Sequence, residues 1–120
     1  MMNLTVDYPR MQEINLSYNH LTGSIPDSIF GSENVGPFDP TDNLQVFDLR
    51  YNQISGDFPE RVLRAATLVS LLLGGNNMTG TISSNMTEFL TSIKYCDLSA
   101  NDWSCPLPTG VDTACQAVCK

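Results

Sequence analysis

The chain has 120 residues, a single domain by length, with 6 Lys and Arg against 13 Asp and Glu and a formal net charge of −7. That balance argues against a nucleic-acid binder, which carries a basic stripe, and against polybasic docking to anionic lipid, while basic partners stay open. The longest apolar run, Leu71-Leu72-Leu73 within Ala65–Leu73, is far short of the about 20 residues a bilayer helix needs, so no membrane insertion by this segment is expected.

Residues 1–10 lack a basic end followed by an apolar block, so no secretory signal is read there. Leu4 and Val6 read instead as the apolar contacts of a preceding unit's remnant. From Met11 onward the chain repeats itself. Asn19, Asn52, Asn76 and Asn101 each follow apolar residues three, five and eight places earlier. These are Leu16, Ile14 and Met11; Leu49, Phe47 and Leu44; Leu73, Leu71 and Leu68; then Leu98, Cys96 and Ile93. The Asn spacings are 33, 24 and 25 residues, and self-similarity at that period marks a solenoid.

Counting each unit from its first apolar residue, the fourth and sixth places alternate along one short strand and point into one core. A single strand cannot hide that face, but stacking buries it between neighbours. Gly23, Gly56 and Gly80 follow Thr22, Ser55 and Thr79 and suit a tight bend. Pro26 and Pro59 then stop the pairing and begin the convex return; Ser83 replaces proline in the third unit and predicts a less rigid turn. Val62, Leu63, Met86, Phe89 and Leu90 are expected to fill the convex-side core from single turns of 3₁₀ or irregular helix. The first spacing exceeds the second by 33 − 24 = 9 residues, and the excess lies in Gly31–Asn43, whose prolines, glycines and acidic residues predict a surface insertion loop.

Aligned on the asparagines, the units read M-Q-E-I-N-L-S-Y-N-H-L-T-G-S-I-P, L-Q-V-F-D-L-R-Y-N-Q-I-S-G-D-F-P, L-V-S-L-L-L-G-G-N-N-M-T-G-T-I-S and I-K-Y-C-D-L-S-A-N-D-W-S-C-P-L-P. This pattern resembles the leucine-rich repeat family, in its plant-type subclass with the unit L-x-x-L-x-L-x-x-N-x-L-(T/S)-G-x-I-P. The resemblance spans residues 11–108. It implies an α/β fold, a right-handed leucine-rich-repeat solenoid with one parallel concave sheet, a second short strand at the Thr/Ser-Gly stretch, short 3₁₀ or irregular convex segments and few or no long helices. It also implies that Asn19, Asn52, Asn76 and Asn101 form a ladder, their amides bonding backbone groups otherwise buried unpaired.

The fourth unit departs from the pattern, with Trp103 in place of Leu and Cys105 in place of Gly. Its cysteine-bearing tail resembles the C-terminal caps of extracellular members. The expected organisation is therefore a remnant over 1–10, four repeats over 11–108 with the insertion at 31–43, and a cap over 109–120. Cys96, Cys105, Cys115 and Cys119 are expected in disulfides, Cys105 with Cys115 or Cys119 and Cys96 with the one left over. A zinc site competes less well, since zinc ribbons use paired short-spaced cysteines. Sequons stand at Asn3, Asn15, Asn77 and Asn85; with the cysteines they point to an extracellular or cell-surface location despite the missing signal. The chain reads as the C-terminal piece of a longer secreted or surface protein, or as one with a misassigned start. Asn77 and Asn85 are the expected glycan carriers, because a sugar on Asn15 would obstruct the concave face.

That face is where the resemblance places function. Its outward columns nominate Glu13, Asn15, Tyr18, Asp48, Arg50, Tyr51, Leu72, Tyr95 and Asp97 as a surface for a protein or peptide ligand, with Tyr18, Tyr51 and Arg50 at its centre. No catalytic set, cofactor or metal is expected. His20 stands alone, and Glu13, Asp48 and Asp97 lie in or near one column without a pocket. The reading is a non-enzymatic recognition module of a surface receptor or adhesion protein. A secreted inhibitor of an extracellular enzyme and a structural spacer are the alternatives.

Overall fold

Strand alternation buries the fourth- and sixth-place side chains. In the computed structural model, which describes residues 12–30 and 44–120, Phe47, Leu49, Leu71, Leu73 and Leu98 are wholly enclosed, Ile14 nearly so, and Leu16 and Cys96 are half-buried. The expected remnant at 1–10, Met11 and the insertion at 31–43 lie outside the described residues. Among the described residues eight short strands follow: β1 (Glu13–Asn15), β2 (Thr22–Gly23), β3 (Val46–Asp48), β4 (Gln53–Gly56), β5 (Ser70–Leu72), β6 (Asn77–Thr81), β7 (Tyr95–Asp97) and β8 (Asp102–Ser104). They form two parallel sheets of four, β1-β3-β5-β7 and β2-β4-β6-β8. In the first, Ile14, Phe47, Leu71 and Cys96 stand in one register row, so each repeat packs the same place against its neighbour.

Gly23, Gly56 and Gly80 bend the chain at φ 82°, 89° and 89°, a region L side chains disfavour. At Gly56 space demands glycine as well, since a Cβ there would lie 2.8 Å from that of Ser24. The convex return is made of 3₁₀ turns at Asp27–Phe30, Glu60–Arg64 and Ser84–Met86, and of α1 (Thr87–Ser92) and α2 (Val111–Ala114). The longest α-helix among the described residues, α1, has 6 residues. Val62, Met86 and Leu90 are buried there and Phe89 half-buried. Leu63 is exposed, against expectation, because a single 3₁₀ turn presents one face to the core and Val62 occupies it. Ser83, where the lost proline predicted a looser turn, keeps a proline-like φ of −66°, and its Oγ accepts from the Asn85 N–H. Its own N–H, which proline would lack, donates to Glu60 Oε2 at 3.3 Å.

The asparagine ladder joins repeats to one another. Asn52 Oδ1 accepts from the Leu21 N–H at 3.0 Å, and its Nδ2 donates to Leu16 O at 2.9 Å and Leu49 O at 3.1 Å. Asn76 does the same one step on, accepting from Ile54 N–H and donating to Leu49 O and Leu73 O, all at 3.0 Å. Asn101 accepts from Met78 N–H at 2.9 Å and donates to Leu73 O at 3.0 Å. The sixth-place carbonyls of the first three units thus each receive two amides, one from their own repeat and one from the next, with Leu73 O shared by Asn76 and Asn101. Asn19, at the start of the described stack, donates only to Leu16 O and Ser17 O of its own unit.

The far end closes by imitation of a further repeat. The Leu98 carbonyl, which a next ladder Asn would reach, accepts from Trp103 Nε1 at 2.8 Å. The Leu98 N–H donates to Cys115 O at 2.8 Å, as Leu49 and Leu73 donate to the following strand. Lys120 N–H donates to Trp103 O at 2.9 Å. Disulfides Cys96–Cys115 and Cys105–Cys119 pin this cap; the partner of Cys105 is thus Cys119, and no thiol remains for zinc. Trp103→Phe keeps an aromatic ring but leaves a gap in the core and a buried carbonyl without its donor, which together cost at least about 1–3 kcal/mol. Urea unfolding should show the midpoint fall accordingly.

Candidate recognition surface on the concave sheet

The strands of the first sheet turn their third and fifth places to one side, where Ser70 is nonetheless buried. On that side the Glu13 and Asn15 side chains are exposed, Val46 and Leu72 are half-buried, and Tyr95 is 53% exposed with Lys94 Nζ 5.4 Å from its ring centroid. Asp48 corrects its assignment as a presented carboxylate, being only 3% exposed. Arg50 folds over it, Nε to Oδ1 at 3.0 Å and Nη2 to Oδ2 at 2.8 Å. That hydrogen-bonded pairing holds Arg50 above its ordinary pKa, burial works against the shift, and the charge of Asp97 adds to it.

The fifth place also does local work that the pattern concealed. Asn15 Oδ1 accepts from Ser17 N–H at 3.2 Å, Asp48 Oδ1 from Arg50 N–H at 3.1 Å, and Asp97 Oδ1 from Ser99 N–H at 3.0 Å. In three units, then, this side chain ties down the end of its own strand, an Asx turn in form. Ser17 Oγ and Ser99 Oγ donate to the same oxygens at 2.8 Å and 2.6 Å. Leu72 cannot make that bond. The signal was legible in the recurrence of Asn or Asp at this offset.

The eighth place is left-handed in all four units, with φ 58° at Tyr18, 60° at Tyr51, 73° at Gly75 and 52° at Ala100. Two tyrosines therefore occupy a conformation that costs an L residue about 1–2 kcal/mol. Their rings stack with centroids 4.7 Å apart and 24° between planes. Tyr18 is nonetheless 72% and Tyr51 50% exposed. Beyond Tyr51 stands Gly75, where a Cβ would lie 2.6 Å from Tyr51 Cδ1, and before it Gly74, where a Cβ would lie 2.6 Å from an Asp97 carboxylate oxygen. Neither glycine was singled out from sequence, though a Gly-Gly doublet at the strand exit was visible. The structure thus brings Tyr18, Tyr51, Arg50, Asp48 and Asp97 together around the exits of β1, β3, β5 and β7. Glu13 and Tyr95 stand apart at the strand starts. Of the sequons, Asn77 is exposed on β6 and Asn85 is exposed in the 3₁₀ turn before α1.

The Leucine Rich Repeat family model matches residues 10–32 and 43–63, the parts that carry the first two ladder asparagines. The chain belongs to the leucine-rich repeat family. This leucine-rich repeat chain is 31% identical over 110 residues, 90% of its length, to Receptor-like protein 9b of Arabidopsis thaliana. It is 33% identical over an alignment of 125 positions that covers 91% of its length to Receptor like protein 21 of the same plant. It spans 11% and 12% of those two relatives. Among solved structures it resembles the BIR3–SERK2 complex of Arabidopsis thaliana, at 30% identity and TM-score 0.68, over 84% of this chain and 52% of that one. It also resembles the plant peptide hormone receptor RGFR1 in complex with RGF2, at 31% identity and TM-score 0.71, over 88% of this chain and 15% of that one. Plant leucine-rich repeat ectodomains are thus its structural kin.

Proposed function

We propose that this repeat array is a ligand-recognition segment of a cell-surface receptor, non-enzymatic and extracellular, whose concave sheet takes a protein or peptide. The observation that carries the reading is the exposed Tyr18–Tyr51 stack. Glycine or asparagine would satisfy the left-handed backbone at both positions with less strain. Large amphipathic rings held there offer the kind of contact area that concentrates interface energy. Similarity to receptor-like proteins and to a receptor captured with a peptide hormone supports a receptor over an enzyme inhibitor or a spacer.

The test replaces both rings with a residue the backbone prefers. In Tyr18→Asn/Tyr51→Asn, relief of left-handed strain, about 1 kcal/mol per residue, offsets the lost stacking, about 0.5–1.5 kcal/mol. The unfolding free energy should stay within about 1 kcal/mol of the parent. A random heptapeptide library panned on the immobilised chain should enrich binders that the double variant no longer retains. Binders kept equally by both would remove the rings from the recognition surface.

The extracellular part of the reading has its own check. Peptide mass mapping of chain secreted from a eukaryotic host should find glycans at Asn77 and Asn85, both exposed and clear of the concave sheet. A glycan at Asn15 alone would move the binding surface elsewhere.

A further inference from the structure

Resting on the proposed recognition role of the concave face, we propose that the exposed side of the Tyr51 ring and the Asp97 carboxylate, which lie over Gly75 and Gly74, form a subsite for a cationic side chain, arginine or lysine, of the bound peptide. Tyr18 covers one face of the Tyr51 ring at 4.7 Å between centroids. Along the repeat direction the ring packs on Gly75, where a Cβ would fall within 3.3 Å of three Tyr51 ring atoms, and the residue still stays 50% exposed. The next residue in that column, Ala100, brings only a methyl group. On the neighbouring Gly74 the Asp97 carboxylate lies down over the backbone, both of its oxygens within 2.9 Å of where a Cβ would be. A half-exposed aromatic ring and a carboxylate are thereby held over adjacent residues, with backbone as the floor. A guanidinium or ammonium group suits that pair, stacking on the ring while bonding the acid.

The charges around the space agree. Arg50, which also feels the charge of Asp97, is already committed to Asp48 through two hydrogen bonds. Asp97 spends one oxygen on Ser99 and forms no ion pair among the described residues. Lys94 reaches the Tyr95 ring at 5.4 Å, so a cation against tyrosine is already present on this sheet. A chain of net charge −7 also draws basic ligands toward it. Gly74 and Gly75 are positioning residues here: any side chain at either would lift the carboxylate or the ring off the floor.

Panning the random heptapeptide library on the full chain, with Tyr51→Ala as counter-selection, tests this directly. Tyr51-dependent binders should carry Arg or Lys at a fixed position. Asp97→Asn should weaken one such peptide about tenfold, and Asp97→Lys should turn the selected residue into Asp or Glu. Thermal unfolding of each variant checks that the fold persists. Tyr51-dependent binders without a basic residue would overturn the cationic subsite and leave the recognition surface standing. Binders indifferent to Tyr51, or no binders, would overturn both.

Discussion

Asn76→Ala is expected to lower the unfolding free energy by about 2–4 kcal/mol, and Asn19→Ala by less than about 1 kcal/mol. The two positions are equivalent in the repeat pattern and unequal in the structure. Asn76 is buried and accepts from Ile54 N–H, which alanine would strand without a partner. Leu49 O and Leu73 O each keep one other amide, from Asn52 and Asn101, so the loss is bounded. Asn19 is exposed and, among the described residues, bonds only carbonyls of its own turn. Asn76→Asp should fall at least as far as Ala, because it keeps the acceptor but sets a buried charge against two carbonyl oxygens. Chemical denaturation of the three variants decides the matter. Equal losses at positions 19 and 76 would mean that the ladder acts only within each turn.

Removing the Cys96–Cys115 bond, as Cys96→Ser/Cys115→Ser, should cost about 2–5 kcal/mol. Cys115 is buried, and its carbonyl receives the Leu98 N–H, so releasing it frees the covalent tie and unsettles the sheet's last main-chain partner together. Cys105→Ser/Cys119→Ser should cost less. Cys105 is exposed and Cys119 half-buried, and Lys120 N–H still holds Trp103 O. Hydrogen exchange should localise the first loss to β7 and β8, leaving β3 and β4 protected. Uniform loss across all strands would refute this view of the cap.

The solenoid was legible because its cause is periodic: one apolar pair per unit, one asparagine after it, and neighbours to bury both. What periodicity could not show is how neighbours differ. Nothing in a column of fifth-place residues says that Asp48 is buried under Arg50 while Asp97 lies over a glycine. That depends on whether the seventh place of the same or the preceding unit carries a long cation or no side chain at all. The left-handed eighth place was similarly hidden, since only one of its four occupants, Gly75, is the residue that conformation favours. Trp103 was recognised as a departure, yet its role required knowing that Leu98 O lacks a following asparagine. The concave face was therefore readable as a location, and its chemistry was not.

The terminator of this array meets the last strand through the main chain and one disulfide. Trp103 and Cys115 answer the C=O and N–H of Leu98, and every earlier unit has a leucine at the equivalent place: Leu16, Leu49 and Leu73. The segment 99–120 is in that sense a portable stop. Spliced after Leu73, with Leu71→Cys to restore the disulfide, it should close a shorter array with the same bonds. Array length and array closure can then be engineered independently.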